Sequence, residues 1–280
     1  MSPDTLSVLL RAASFVALLQ AAGVVLCVAL FSRHLPAAAR EIRSVGVRSA
    51  AVALPLLVAQ LALEAPRMAG EYAGILDGSL QRMVLGSPVA AAAGARVLGA
   101  LLIAAGLPGS SRPAQVFAQG GVLLIAGSFA LTGHTAVHPW RWLLAPALVI
   151  HLLIAAFWLG GIATLYLATL REGDRAGRGV EAFSRVALWI VPLLAVAGVV
   201  MTVLLVPHLA VFAQPYGWLL LVKMSGFVLL MGLAAANRWR LGPAVAAGAT
   251  RGFRRSLIAE YLLIAAVLAA TAVMTSLYSP

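Results

Sequence analysis

The sequence predicts an all-α fold: a polytopic integral membrane helical bundle of about eight transmembrane helices. Hydrophobic residues make up 62% of the 280 residues and charged residues only 10%, whereas soluble domains are roughly half apolar and a quarter charged. Several apolar runs reach the ~20 residues that an α-helix needs to cross the hydrocarbon core. These runs are continuous rather than alternating, which favours helices over barrel strands. No long polar linker divides them, so we expect residues 1–280 to form one membrane domain.

The eight apolar segments are predicted at residues 6–31, 46–65, 88–107, 114–132, 140–169, 184–206, 216–237 and 255–277. The fifth is the longest and is expected to tilt or protrude. The first is expected to be a retained span rather than a cleaved signal peptide, because it is long and follows Asp4 and a single basic residue, Arg11. The polar loop 66–87 is expected to hold a short interfacial helix.

The arginines predict the orientation of the bundle. Three lie in the loops of one side (Arg67, Arg82 and Arg141), with Arg11 near its edge, and fourteen in the loops of the other: Arg33, Arg40, Arg43, Arg48, Arg112, Arg171, Arg175, Arg178, Arg185, Arg238, Arg240, Arg251, Arg254 and Arg255. The positive-inside rule makes the arginine-rich side cytoplasmic. Both termini are then periplasmic, in a multi-pass protein of the bacterial inner (plasma) membrane. The net charge of +11 therefore reflects the orientation of the protein in the membrane. We expect membrane lipid as a partner and no nucleic acid.

Three of the five histidines lie within residues 133–161. His134 and His138 are four residues apart in a polar break on the predicted outer side, where a helical end or turn lets both imidazoles face one ion. His208 lies at the outer end of the sixth segment. Imidazole suits copper, zinc, nickel and iron, and methionine sulfur favours copper(I). Copper is favoured over zinc because three methionines also fall near this face: Met68, Met201 and Met274.

His151 lies deeper, about 16 Å into the fifth segment at 1.5 Å per residue. An ionisable side chain inside a membrane is by default a functional hypothesis. We interpret His151 either as a helix-to-helix hydrogen-bonding residue or as a second metal-binding stop on an inward path. Met224 in the seventh segment, at ~12 Å, is a candidate soft ligand beside it.

Three charged residues are predicted inside spans: Arg96, Lys223 and Glu260. Each must face protein or water and is expected to pair. Glu64, near the outer end of the second segment, is a possible partner for Lys223. Structural ion pairing is the favoured interpretation, and a proton or ion relay is the alternative.

No nucleotide-binding or hydrolytic motif is present. The sequence lacks a Walker A loop, a Gly-x-Ser-x-Gly elbow and a His-Glu-x-x-His pair. It also lacks Cys-x-x-Cys and Cys-Pro-x metal motifs, and its one cysteine, Cys27, permits no intrachain disulfide. We therefore expect a protein that is not an enzyme, with transport that is passive or coupled to a gradient.

The chain resembles the bacterial copper resistance protein D (CopD) family over residues 129–275. The similarity rests on FALTGH from Phe129, HLLIAAFWLGG from His151, FSR from Phe183, YGWLLLVK from Tyr216, NRWRL from Asn237, and RRS from Arg254 with Glu260. The matched positions include His134, His151, Lys223 and Glu260.

The resemblance implies an inner-membrane protein of copper homeostasis that moves copper inward from the periplasm. It also implies a small periplasmic copper carrier of the CopC type as partner. A haem-binding or copper-reducing electron-transfer protein is the alternative function, with His151 and Met224 as axial ligands. A third hypothesis is a structural or sensing partner of the carrier that performs no transport.

Overall fold

A computed structural model describes residues 1–206 and 208–278, with the side chains of His134 and Leu209 outside the description. The helices are α1 (Pro3–Phe31), α2 (Ala39–Ala69), α3 (Gly78–Leu85), α4 (Pro88–Gly106), α5 (Arg112–Ser128), α6 (His134–Val137), α7 (Arg141–Arg171), α8 (Ala176–Leu205), α9 (Pro215–Ala236), α10 (Gly242–Ala246) and α11 (Arg251–Leu277). No β-strand occurs in the described ranges.

Eight helices in the described part of the chain are long and apolar enough to cross a membrane, which confirms the predicted helical membrane fold. Helix α2 begins at Ala39 and α8 at Ala176, several residues before the predicted segments 46–65 and 184–206. Hydropathy marks only the lipid-embedded part of a helix, whereas arginine-bearing turns continue the helix beyond it because arginine is a good helix former.

The loop between α2 and α4 holds a 3₁₀ helix (Tyr72–Leu76) followed by α3, so the predicted short helix is confirmed. Asp77 caps α3: its carboxylate accepts hydrogen bonds from Ser79 Oγ at 2.6 Å, Ser79 N at 2.8 Å and Leu80 N at 3.1 Å. These bonds, the Ser79 hydroxyl first, hold the pKa of the Asp77 carboxyl below its ordinary value.

Helix α1 is the centre of the bundle. It contacts α2, α4, α5, α7, α8 and α11, and Leu18, Ala21 and Val24 on it have no exposed surface. Lipid tails are as apolar as leucine, so helices in a membrane associate mainly through close packing, which small residues permit.

Glycines set the crossing of α1 and α7. A Cβ at Gly23 would collide with the Ala156 carbonyl, and a Cβ at Gly160 would collide with the backbone of Gly23. Gly161 faces the Phe183 ring of α8 in the same way. The Gly160–Gly161 pair therefore lets the α1 backbone and the Phe183 ring of α8 approach α7 closely.

An ionic network joins both ends of the chain to α2. Glu64 pairs with Arg67 at 3.2 Å and with Arg11 at 3.6 Å, and Arg67 also reaches Asp4 at 3.0 Å. Both arginines donate to carbonyls in the last turn of α11. The expected pairing of Glu64 with Lys223 is therefore replaced by pairs with two arginines.

Candidate functional site

His151 is a partly exposed polar side chain whose Nδ1 is buried at the contact between α7 and α8. It lies about 15 Å along α7 from Arg141, and a methyl group at Gly198 would stand 3.8 Å from its Cε1 and 3.9 Å from its Nδ1. Nδ1 is buried and makes no hydrogen bond of normal geometry with the described residues, although the Leu194 backbone of α8 lies close enough to act on the ring. The Nδ1 edge of the imidazole therefore faces α8, where it can accept a proton, a hydrogen bond or a metal.

Lys223 of α9 is the charged residue that faces this imidazole across the helix contact. It lies close enough for its charge to act on His151. No carboxylate in the described part of the chain lies within ion-pairing distance of its ammonium. Met224, the next residue of α9, is 51% exposed. The upper polar level, defined here as His151 and Lys223, thus contains two nitrogen groups and no described counter-charge.

A second polar cluster brings three distant segments together. Glu260 of α11 is only 3% exposed, and one carboxylate oxygen accepts a hydrogen bond from Trp158 Nε1 of α7 at 3.1 Å. The other oxygen accepts from Asn237 Nδ2 at the end of α9. We call these three residues the lower polar level. The expected ion pair of Glu260 is replaced here by two neutral donors.

Asn237 occupies a special backbone position. It begins a single π-helical turn, Asn237–Leu241, that leads from α9 towards α10. Such turns are rare and occur frequently at functional sites. Its Oδ1 is buried and unpartnered within the described residues, so this amide donates to Glu260 but keeps one free acceptor.

The two levels are separated along the bundle. His151 and Trp158 are seven residues apart on α7 (158 − 151), or about 10 Å of helix. Lys223 and Asn237 are fourteen residues apart on α9 (237 − 223), or about 21 Å. Lys223 therefore cannot reach Glu260, which is hydrogen-bonded to Asn237, without a large rearrangement.

Arg96 of α4 also lacks the ion pair expected of it. Its Nε donates to Ser128 Oγ at 3.0 Å, and its Cζ lies 4.1 Å from the centroid of the Phe129 ring. A guanidinium over an aromatic face is stabilised by the ring quadrupole. Arg96 is therefore held by a hydroxyl and a ring where α4 packs against the end of α5.

The predicted outer histidine cluster is only partly described. The backbone of His134 begins α6, but its side chain lies outside the description. His138 accepts the Trp140 N–H on Nδ1 at 3.1 Å, and His208 is exposed at the start of the 3₁₀ helix Leu209–Ala213. Among the described side chains, no group of three or more His, Cys, Asp or Glu could hold a metal ion. Copper binding by these histidines stays a prediction.

Two buried polar features were not anticipated from the sequence. Trp158 and Asn237 lie in the segments that resemble the CopD family, but the sequence did not indicate that either one contacts Glu260. Gln20 of α1 is 3% exposed, and neither its Nε2 nor its Oε1 has a partner among the described residues. A single glutamine in a long apolar segment could have drawn attention to this position.

These features define a multi-pass helical membrane protein with polar side chains buried between its helices. The chain belongs to the copper resistance protein D-like family. The family's N-terminal domain profile matches residues 1–141, and the Copper resistance protein D profile matches residues 177–274. The resemblance is thus confirmed, and it includes the first half of the chain, where the residues alone had supported it mainly by helix number and hydropathy.

Two curated relatives carry copper-related names. The chain is 33% identical to Copper resistance protein D of Pseudomonas syringae pv. tomato over 147 residues, 48% of this chain and 46% of that protein. It is 33% identical to Copper transport protein CutJ of Bacillus subtilis (strain 168) over 164 residues, 56% of this chain and 29% of that protein. The alignments thus span less than half of each relative. No solved structure matches the chain.

Proposed function

We propose that this protein moves copper across the bacterial inner membrane, from the periplasm to the cytoplasm. Family membership and the eight apolar helices support a copper-related membrane function. The observation that carries the route is the buried, unpartnered Nδ1 of His151 between α7 and α8. A buried polar atom without a partner is costly, and a copper ion passing this level would supply the missing bond.

The capture step uses the predicted outer histidines, His134, His138 and His208. In the structure, His138 Nδ1 is occupied by the Trp140 N–H, so the neutral ring carries its proton on Nε2. Copper must therefore displace the Trp140 N–H or the Nε2 proton to bind His138. We propose that a small periplasmic copper carrier of the CopC type delivers copper to this face and offsets that cost by direct ligand exchange.

The transfer step takes copper past the upper polar level. Two cations in a low-dielectric interior repel strongly, so copper at His151 and a protonated Lys223 disfavour each other. We propose that Lys223 releases its proton or swings aside when copper arrives, which would couple copper movement to proton movement. Met224, predicted as a soft ligand, would have to turn inward from its half-exposed position to join His151.

The lower polar level has a different proposed role. Both carboxylate oxygens of Glu260 are engaged by N–H donors from Trp158 and Asn237. A carboxylate held in this way positions α7, α9 and α11, and it is a poor ligand until one donor leaves. We therefore favour Lys223 over Glu260 and Arg96 as the residue of the predicted proton or ion relay.

The test is radioactive copper flux into proteoliposomes. Replacing His151 with Leu fills the same space with an apolar side chain and removes only an unpartnered polar group. The melting temperature should therefore stay within about 3 °C of wild type. Copper flux should fall more than tenfold. His34→Ala is the matched control, because His34 is an exposed loop residue at the arginine-rich end.

Unchanged flux in His151→Leu would overturn the route. An absorption spectrum of the same preparations tests the electron-transfer alternative. A Soret band that disappears in His151→Leu would assign His151 to haem rather than to copper.

A further inference from the structure

A cavity of about 170 Å³ lies at the arginine-rich end of the bundle, away from both polar levels. It is formed where α1 and α4 end and where α2 and α5 begin. Its polar lining consists of Ser32, Arg33, Arg43, Gln115 and Gln119. The rest of its wall is glycine and the apolar side chains of α1, α4 and α5. A buried water molecule needs roughly 10–15 Å³ of cavity volume, so this cavity has room for a polyatomic group.

The charge of this cavity is uncompensated. Arg33 and Arg43 both line it, no acidic residue does, and neither arginine has an ion-pair partner among the described residues. The Nε of Arg43 is buried and has no hydrogen-bond partner within the described chain. Two guanidinium groups converge on a partly enclosed space with unused donors, which favours an anion with several acceptor oxygens.

The geometry of the donors suits a phosphate group. Arginine binds phosphate through paired N–H donors, and the side-chain amides of Gln115 and Gln119 of α5 add neutral donors, with one Gln115 N–H already donated to Ser110 O at 3.2 Å. The apolar part of the lining distinguishes between sources of phosphate: a free phosphate gains nothing from Val25, Val28 or Leu107, whereas the glycerol and acyl part of a lipid does.

The position within the membrane agrees with this choice. Arg33 lies two residues after Phe31, the last residue of α1, and Arg43 lies in the second turn of α2, so we expect both at the membrane–water boundary. Basic pockets between transmembrane helices on the cytoplasmic side bind anionic lipid headgroups. We propose that this cavity binds the phosphodiester headgroup of an anionic phospholipid from the arginine-rich leaflet.

The experiment is native mass spectrometry of the full chain titrated with phosphatidylglycerol or phosphatidylcholine. Wild type should bind phosphatidylglycerol at least tenfold more tightly than phosphatidylcholine. The double variant Arg33→Gln/Arg43→Gln should bind it about tenfold or more weakly than wild type, because charge-assisted hydrogen bonds to phosphate are lost. Arg40→Gln/Arg48→Gln is the matched control: it removes two unpaired, exposed arginines of the same end that do not line the cavity, and it should bind like wild type.

Equal weakening in both double variants would overturn the cavity as the site and indicate general charge attraction. Competition by inorganic phosphate at the same concentration as the lipid would overturn the lipid source. If Arg33→Gln/Arg43→Gln does not fold, Ala29→Phe tests whether the cavity is the lipid site. This substitution fills the cavity from an exposed lining position and keeps every charge. Unchanged phosphatidylglycerol binding by Ala29→Phe would also overturn the proposal. Copper flux is not a readout here, so this result is independent of the proposed transport.

Discussion

The lower polar level is fully buried, whereas His151 and Lys223 of the upper level are partly exposed, and the two levels also differ in how their polar atoms are partnered. At the lower level, Glu260 receives one N–H from Trp158 and one from Asn237. At the upper level, His151 Nδ1 has no partner and Lys223 no counter-ion among the described residues. The two levels therefore differ in both the burial and the partnering of their polar groups.

The difference between the levels has a physical meaning. A fully satisfied buried network rigidifies the core, whereas an unpartnered buried group costs free energy and needs an explanation such as a passing ligand. Glu260 is explained by the packing of three helices around it. His151 is explained by the proposed copper route, so the two levels should respond in opposite ways to substitution.

The largest effect on stability is expected at the lower level. Glu260→Ala leaves the Trp158 and Asn237 donors unpartnered, and we expect a loss of about 1–3 kcal/mol in the free energy of unfolding. Glu260→Gln keeps the shape and one acceptor and should lose less than half as much. Thermal unfolding in detergent measures both, and equal melting temperatures for wild type and Glu260→Ala would show that this network contributes no stability.

The next effect is expected in copper affinity at the upper level. Lys223→Leu removes a positive charge near His151 without adding a copper ligand, and we expect roughly tenfold tighter copper binding, which corresponds to about 1.4 kcal/mol of relieved repulsion. Lys223→Arg keeps the charge and should leave affinity close to wild type. Competition with a chelator of known affinity gives the values. Weaker copper binding in Lys223→Leu would mean that the amine is a ligand instead of a competitor.

The smallest effect is expected at Asp77, a polar group that is partnered but fully exposed. Hydrogen bonds from Ser79 and Leu80 lower the pKa of its carboxyl. The capping contribution is therefore present above the ordinary aspartate pKa and is lost as pH falls through the lowered value in the folded protein. Hydrogen exchange of the α3 amides should quicken in that acid window while the rest of the protein is unchanged.

Asp77→Asn provides the control for this pH effect. Asparagine is also a good N-cap residue but does not titrate, so the acid-dependent exchange should disappear. Its persistence would assign the effect to another group.

The number and approximate position of the helices were predictable because they depend on local composition. Continuous apolar runs required eight helices, and the polar loop before α4 required a short helix. The same reasoning placed His151 inside the membrane, where it lies against Gly198. It did not find the partners of Glu260, which are 102 and 23 residues away in the chain.

The expectation of ion pairs shows why the rest was not predictable. A charge inside a span must be compensated, but hydropathy does not say by what. Arg96 is compensated by a hydroxyl and an aromatic ring, Glu260 by an indole and an amide, and Glu64 by Arg11 of α1 and Arg67 of its own helix. Each of these choices depends on which helices are neighbours.

The sequence by itself determined that this chain is a helical membrane protein with an arginine-rich end and a histidine at depth, because hydropathy, charge and helical rise are properties of short segments. The tertiary structure alone decided that Trp158, Asn237 and Glu260 satisfy one another while His151 Nδ1 stays unpartnered. That distinction arises from the close crossing of α1 and α7 at Gly23 and Gly160 and from the packing of α8 and α11 against α7, since hydrogen-bond satisfaction is a property of neighbouring helices and not of any one of them.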